Sequence, residues 1–173
     1  MSEREELPEV ILRDPGAQDH TFLGSLSSPE VAGEFDSFDD PREELLLASD
    51  FGGGSQVVTL GDGTRVGSVS WVQVPYGPNL RSIAWSIGIT IHPEFRGRHL
   101  AAAAQRSLAE RLLRSSTSHR VQADTDPQNI AEQRALARAG FTREGVARQA
   151  QWRRGRWHDR VVFSLLREDL DER

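Results

Sequence analysis

The run Gly88-Ile89-Thr90-Ile91-His92-Pro93-Glu94-Phe95-Arg96-Gly97-Arg98-His99-Leu100-Ala101 sets two arginines around a glycine, between a β-prone apolar stretch and a long Ala/Leu/Arg stretch. It reads as strand, tight loop and helix start. The first N–H groups of a helix have no acceptor inside the helix, and anions bind there. With Arg96 and Arg98 beside the N–H groups from about Arg98 to Ala101, this segment suits a phosphate-bearing ligand and needs no metal. Gly97 lets a backbone approach closely, and is equally explained by a tight strand-to-helix turn. Asn129 opens a second helix that stops at Gly140-Phe141. Its amide suits a ligand hydrogen bond, an N-cap, or both.

Periodicity and turn signals outline the elements that must position these residues. A short strand is expected over 9–13, closed by Asp14-Pro15-Gly16. Residues 17–27 and 41–50 have helical apolar spacing, the second begun by Asp40 and Pro41. Residues 51–55 are Gly-rich and read as a loop. Strands over 56–60 and 65–74 form a hairpin around 61–64, and a third strand over 81–91 follows the break at 75–78. A helix over 100–113, a strand over 120–123 and a helix over 129–139 follow, with Gly140 as its left-handed cap. Paired strands over 145–152 and 157–166 close the chain around Arg154-Gly155. This mixed order predicts an α+β fold in a single domain over residues 1–173, with helices on a mostly antiparallel sheet.

Composition narrows the function classes. The 173 residues contain no cysteine, which excludes disulfides, thiolate metal sites and a cysteine nucleophile. There is no lysine, so a lysine Schiff base is excluded as well. No apolar stretch approaches the roughly 20 residues of a membrane helix. The acidic start lacks an apolar signal region, and a cytoplasmic protein is expected. Charge is uneven: residues 1–50 carry 14 acids and 3 Arg, whereas residues 87–173 carry 16 Arg and 11 acids. The blocks suit a polyphosphate ligand on one half and a cationic one on the other, and equally suit solvated surface. The Arg148–Arg160 stretch contains Trp152 and Trp157, but net charge is −5 and a nucleic-acid partner is not expected.

The segments together resemble the GNAT superfamily of N-acetyltransferases, in the subgroup of the ribosomal-protein N-terminal acetyltransferases (RimJ/RimL-like). Leu12-Arg13 is similar to the family's opening strand. The run from Pro93 to Ala101 is similar to its pyrophosphate loop, Pro-Glu-aromatic-Arg-Gly-Arg/Lys-Gly-x-Ala. The run from Asn129 through Arg134, Leu136 and Arg138 to Gly140-Phe141 is similar to its second segment, and Glu144-Gly145, Gly155, Asp159 and Phe163-Ser164-Leu165-Leu166 to its tail.

The resemblance implies the GNAT fold, with a splayed strand at an acetyl-CoA site and no metal. It puts Ile89, Thr90 and Ile91 beside the pantetheine arm. Arg96, Gly97, Arg98, His99, Leu100 and Ala101 fall at the pyrophosphate, and Asn129 at pantetheine. His99 stands where the family usually has Gly, Glu132 where it has Ser, Ser86 where many members have a general-base Glu, and Leu136 where many have an acidic Tyr. The acceptor amine must lose a proton. The resemblance puts Glu34, Asp36, Asp39 and Asp40 beside the acceptor pocket with Phe35 and Phe38, and His92 is a further candidate base. Glu34, Asp36 and His92 are taken as the catalytic candidates. The expected function is an N-acetyltransferase for a primary amine of a small molecule. A protein N-terminus is the alternative acceptor, and a non-catalytic module that binds CoA or another ligand is a third reading. A homodimer is expected by analogy with the fold.

Overall fold

Alternation of small apolar and polar residues makes the strands, and a four-residue spacing of leucine and alanine makes the helix that covers them. The computed structural model describes residues 6–35 and 52–171. The helix expected over 41–50, together with Asp36, Phe38, Asp39 and Asp40, lies outside the described residues.

Seven strands form one sheet: β1 (Ile11–Arg13), β2 (Gly54–Thr59), β3 (Arg65–Pro75), β4 (Ile83–Ile91), β5 (Arg120–Thr125), β6 (Thr142–Arg153) and β7 (Arg156–Leu166). Their order is β1-β2-β3-β4-β5-β7-β6. Every pairing is antiparallel except β4 with β5. The helices are α1 (His20–Leu26), α2 (Pro29–Ala32), α3 (Leu100–Ser115), α4 (Ile130–Arg138) and α5 (Glu168–Asp171). None of them is long and apolar enough to cross a membrane.

The long helix α3 buries Leu100, Ala104, Leu108 and Leu112 along one stripe. They join a core with Val66 and Val69 of β3, Ile87 and Ile91 of β4, and Val121 and Ala123 of β5. Alanine at 102, 104 and 109 lets the helix axis lie close to the sheet, which fixes where its N-terminus points. The helix α4 starts at Asn129, whose Oδ1 accepts the Glu132 N–H at 3.2 Å. It ends in a Schellman motif: Phe141 N–H donates to Leu136 O, Gly140 N–H donates to Ala137 O, and Gly140 has φ 91°.

Among the differences from expectation, two boundaries and one extra element have local reasons, while β1 starts later, at Ile11, β5 runs on to Thr125 and β6 starts earlier, at Thr142. The strand β2 begins at Gly54, inside the expected loop, because a side chain there would strike the Trp71 ring and glycine lets the strands close over it. Residues Leu80–Ser82 form a 3-10 turn, capped by Asn79 Oδ1 on Ser82 N–H at 3.1 Å, and delay β4 to Ile83. The short helix α2 follows Ser28-Pro29, a start signal without enough apolar periodicity to be read as a helix.

The pairing of β4 matters most for the site. Against β3 it pairs along its whole length, from Pro75↔Ile83 to Gly67↔Ile91. Against β5 it pairs only at Trp85↔Val121 and Ser86↔Gln122. The two strands therefore diverge beyond Ser86, and among the described residues the β5-side backbone edge of residues 87–91 has no strand partner.

Near the start of the chain, Asp19 is fully buried. Its carboxylate accepts both Arg13 amino groups at 2.7 Å, the Arg65 Nε–H at 2.8 Å and the Gly16 N–H at 2.8 Å. The Arg13 guanidinium, followed by the Gly16 N–H, holds this carboxyl well below the usual carboxylate range. A depressed folded-state pKa gives stability that is present above the unfolded value and lost as pH falls through the folded one. Melting temperature should therefore hold from neutral pH and fall steadily below about pH 4. Circular-dichroism melts from pH 7 to 3 check this. Asp19→Asn should show a shallower acid decline, and an unchanged decline would remove Asp19 from the account.

Candidate active site

The divergence of β4 from β5 opens into a cavity of about 650 Å³. The end of β4 forms one side, with Ile89, Thr90 and Ile91 on it. The loop and helix start supply Arg96, Gly97, His99, Leu100 and Ala101. The opposite wall is α4 with Asn129, Glu132, Arg134 and Arg138, and the lip is Val31, Gly33, Glu34 and Phe35.

The α3 N-terminus is left open by its sequence. The first helical bond there is Ala103 N–H to His99 O at 3.2 Å, and among the described residues no side chain caps the helix. The N–H groups of Leu100, Ala101 and Ala102 therefore lack helical acceptors, at the positive end of a 16-residue dipole. Gly97 at φ 77° and His99 at φ 59° turn the loop so that this end faces the cavity. Asn129 stands opposite, and its amide NH2 has no protein acceptor among the described residues. An unpaired strand edge running into an uncapped helix start is a frame for an extended amide-bearing chain ending in an anionic group.

The arginines sort differently from the sequence expectation. Arg96 lines the cavity but spends its guanidinium on backbone, with Nε on Ile91 O at 2.9 Å and Nη2 on Val31 O at 2.5 Å. Arg98 does not line it: its guanidinium sits 5.4 Å over the Phe95 ring and donates to Glu94 O at 3.2 Å. The cationic wall comes instead from Arg134 and Arg138, one turn apart on α4. Their spacing in the second motif is the signal that could have found them. Arg138 Nη1 lies 3.0 and 3.1 Å from the two ring nitrogens of His99.

The catalytic candidates do not gather. Glu34 is exposed on the lip and, among the described residues, has no ion-pair partner. Asp36 lies outside the described residues. His92 is set apart, in a second pocket of about 430 Å³ with Phe22, Arg65 and Glu94. As the residue after Ile91 it leaves the strand on the α1 side, between the Phe22 and Phe95 rings, with Nδ1 3.8 Å from Glu94 Oε2. Tyr76 is exposed away from the cavity; its hydroxyl donates to Gln122 Oε1.

The family model for the acetyltransferase (GNAT) domain matches residues 9–142. The chain belongs to the GNAT acetyltransferase family. It is 28% identical over 116 residues to a probable N-acetyltransferase, YjcK, of Bacillus subtilis, covering 67% of this chain and 62% of that one. It is 30% identical over 83 residues to the ribosomal protein uS5-alanine N-acetyltransferase of Escherichia coli, covering 48% of this chain and 43% of that one. The chain thus spans less than two thirds of the length of the curated relatives it matches. Among solved structures, RimJ of Mycobacterium smegmatis in complex with CoA-disulfide superposes with a TM-score of 0.75 at 21% identity, covering 93% of this chain and 83% of that one. Spermidine N-acetyltransferase of Vibrio cholerae, with CoA and spermine, gives 0.72 at 18% identity, covering 92% and 96%. These likenesses show the GNAT fold.

Three of this chain's departures from the GNAT pattern can be placed in the fold. His99 sits in the left-handed region, which glycine enters freely and histidine enters at a cost, so a glycine in the GNAT loop is the unstrained choice. Glu132 is held by Gln105 of α3, whose Nε2 donates to its Oε1. Leu136 is wholly buried in the core and brings no acid to the GNAT cavity.

Proposed function

We propose that this chain is an acetyl-CoA-dependent N-acetyltransferase whose acceptor is the primary amine of a small molecule. The observation that carries the reading is the unpaired edge of residues 87–91 opening onto the uncapped start of α3. In this reading the N–H groups of Leu100, Ala101 and Ala102 hold the pyrophosphate, supported by Arg134 and Arg138. The backbone of Ile89, Thr90 and Ile91 pairs with the pantetheine amides, and Asn129 donates its NH2 to the same arm. Bound acetyl-CoA would supply an acetyl thioester: the neutral amine forms a C–N bond to the acetyl carbon, the C–S bond breaks, and CoA leaves as thiolate and takes up the proton the nitrogen sheds.

The amine arrives protonated at neutral pH. Glu34 is a carboxylate on the lip, and Glu132 is already engaged by Gln105. Glu34 therefore draws in the ammonium and takes up its proton, directly or through water. His92, in its separate pocket, has no part in this. A protein N-terminus is the second reading, favoured by the 30% identity to the uS5-alanine acetyltransferase over 83 residues.

The test is thiol release from acetyl-CoA with spermidine, ribostamycin and an alanine-starting peptide as acceptors. Turnover of a small amine, with Glu34→Gln lowering kcat/KM by about tenfold or more and leaving acetyl-CoA affinity unchanged, is the expected result. Turnover of the peptide alone would replace the small-molecule acceptor with a protein one. Binding without any turnover would leave a non-catalytic CoA-binding module.

A further inference from the structure

Two arginines from distant parts of the chain hold the same short segment of the lip. At one end, Val31 O accepts Arg96 Nη2 at 2.5 Å; at the other, Phe35 O accepts Arg153 Nη1 at 2.5 Å. Between them Gly33, at φ 67°, reverses the backbone and delivers Glu34 to the cavity. Arg96 belongs to the cofactor loop. Arg153 does not: it is the last residue of β6, and only 3% exposed.

Arg153 also reaches the opposite wall. Its Nη2 donates to Asp126 Oδ2 at 2.7 Å. Asp126 builds the turn that presents Asn129: its Oδ1 accepts the Gln128 N–H at 2.8 Å, and its backbone oxygen accepts the Asn129 N–H at 3.0 Å. Burial works against the charge on Asp126, but the Gln128 N–H and the Arg153 guanidinium outweigh it and keep its pKa below the usual value. One buried guanidinium therefore joins the Glu34 lip to the Asn129 turn. Burying such a pair is a poor route to stability when apolar residues of similar volume would serve as well. A planar fork that meets two acceptors in a fixed relation is what arginine offers and lysine does not.

We propose that Arg153 is a positioning residue for the acceptor: it sets the place of Glu34 relative to Asn129 across the mouth of the cavity. The inference rests on the acetyltransferase reading above. The contact with Phe35 O separates the two substrates, because it touches none of the start of α3, the end of β4 and the Asn129 turn.

The test compares the wild-type chain with Arg153→Lys, which keeps a charge for Asp126 but cannot hold Phe35 O in the same fork. Chymotryptic cleavage after Phe35, identified by mass, should quicken about tenfold or more, while cleavage after Tyr76 stays unchanged. Acetyl-CoA affinity by calorimetry should stay within about threefold, since the α3 start is untouched. With n-butylamine, spermidine and an alanine-starting peptide as amine probes, acceptor kcat/KM should fall about tenfold, through kcat as well as KM, because Glu34 both draws in the ammonium and takes its proton. Unchanged cleavage after Phe35, or unchanged acceptor kcat/KM, overturns the proposal. So does an equal loss of acetyl-CoA affinity, which would mean a general loosening of the site. If the wild-type chain acetylates no probe, the acetyltransferase reading is what fails, and the cleavage and calorimetry still decide whether Arg153 holds the lip. Should Arg153→Lys not fold, the double variant D126N/R153M, which removes both charges together and keeps an oxygen for the Gln128 N–H, takes the cleavage and acceptor measurements.

Discussion

Gly97→Trp should weaken acetyl-CoA binding by about 100-fold or more, close to 2.7 kcal/mol, and leave the fold standing. Gly97 is exposed at the turn into α3, and a Cβ built on it meets nothing within 4 Å. The Cβ thus has room, and a bulky side chain at this cavity-lining position competes with a ligand for the space. Its cost to the free protein is the left-handed backbone at φ 77°, about 1–2 kcal/mol for a residue other than glycine. Its cost to the complex is the whole contact between the pyrophosphate and the N–H groups of residues 100–102. Calorimetry with acetyl-CoA reads the cost to the complex and a thermal melt reads the cost to the free protein. A variant that melts within a few degrees of the parent and binds no cofactor is the expected pair of results. Undiminished binding would place the cofactor elsewhere.

Gly67→Ala tests the strand that backs β4, the side of the cavity formed by Ile89, Thr90 and Ile91. Gly67 of β3 lies opposite Ile91 of β4. A Cβ there would stand 2.2 Å from Thr90 O and 2.8 Å from Ile91 Cδ1. The first neighbour is backbone and cannot swing away, so β4 itself must shift at Thr90–Ile91. Overpacking of this kind costs about 1–3 kcal/mol, and here the upper end is expected because a strand rather than a side chain has to move. Chemical denaturation should show a lowered midpoint with an unchanged slope, and acetyl-CoA affinity should fall with it, since the displaced residues line the cavity. A variant as stable as the parent would mean that β3 and β4 tolerate a wider spacing than the register implies.

The features that could be read from the chain alone are those set by near neighbours in sequence. The turn at Gly97, the start of α3, the Asn129 cap and the Gly140 stop each depend on a few adjacent residues, and all appear where the pattern puts them. Gly67 carried no such signal, because its requirement comes from a strand about 24 residues away that only the sheet register brings opposite. The divergence of β4 from β5 is likewise a matter of pairing, and no local pattern marks Ser86 as the last paired residue. Charged side chains were the hardest to place. Arg96 and Arg98 adjoin the helix start in sequence, yet the first turns to the backbone of Ile91 and Val31 and the second lies over Phe95. Arg134, Arg138 and Arg153 take their places from helix packing and a hairpin end. Long flexible side chains reach whatever acceptors the fold leaves, so their partners follow from the fold and not from spacing. His92 shows the converse: a residue beside the motif that the strand's alternation sends to another pocket.

The most direct measurement is a crystal structure of the chain with CoA. The account predicts the pyrophosphate within hydrogen-bonding distance of the N–H groups of Leu100, Ala101 and Ala102. It also predicts the pantetheine arm along Ile89, Thr90 and Ile91, with Asn129 donating to it. CoA bound in the pocket around His92, or β5 closed against β4 over residues 87–91 with no ligand between them, would contradict it.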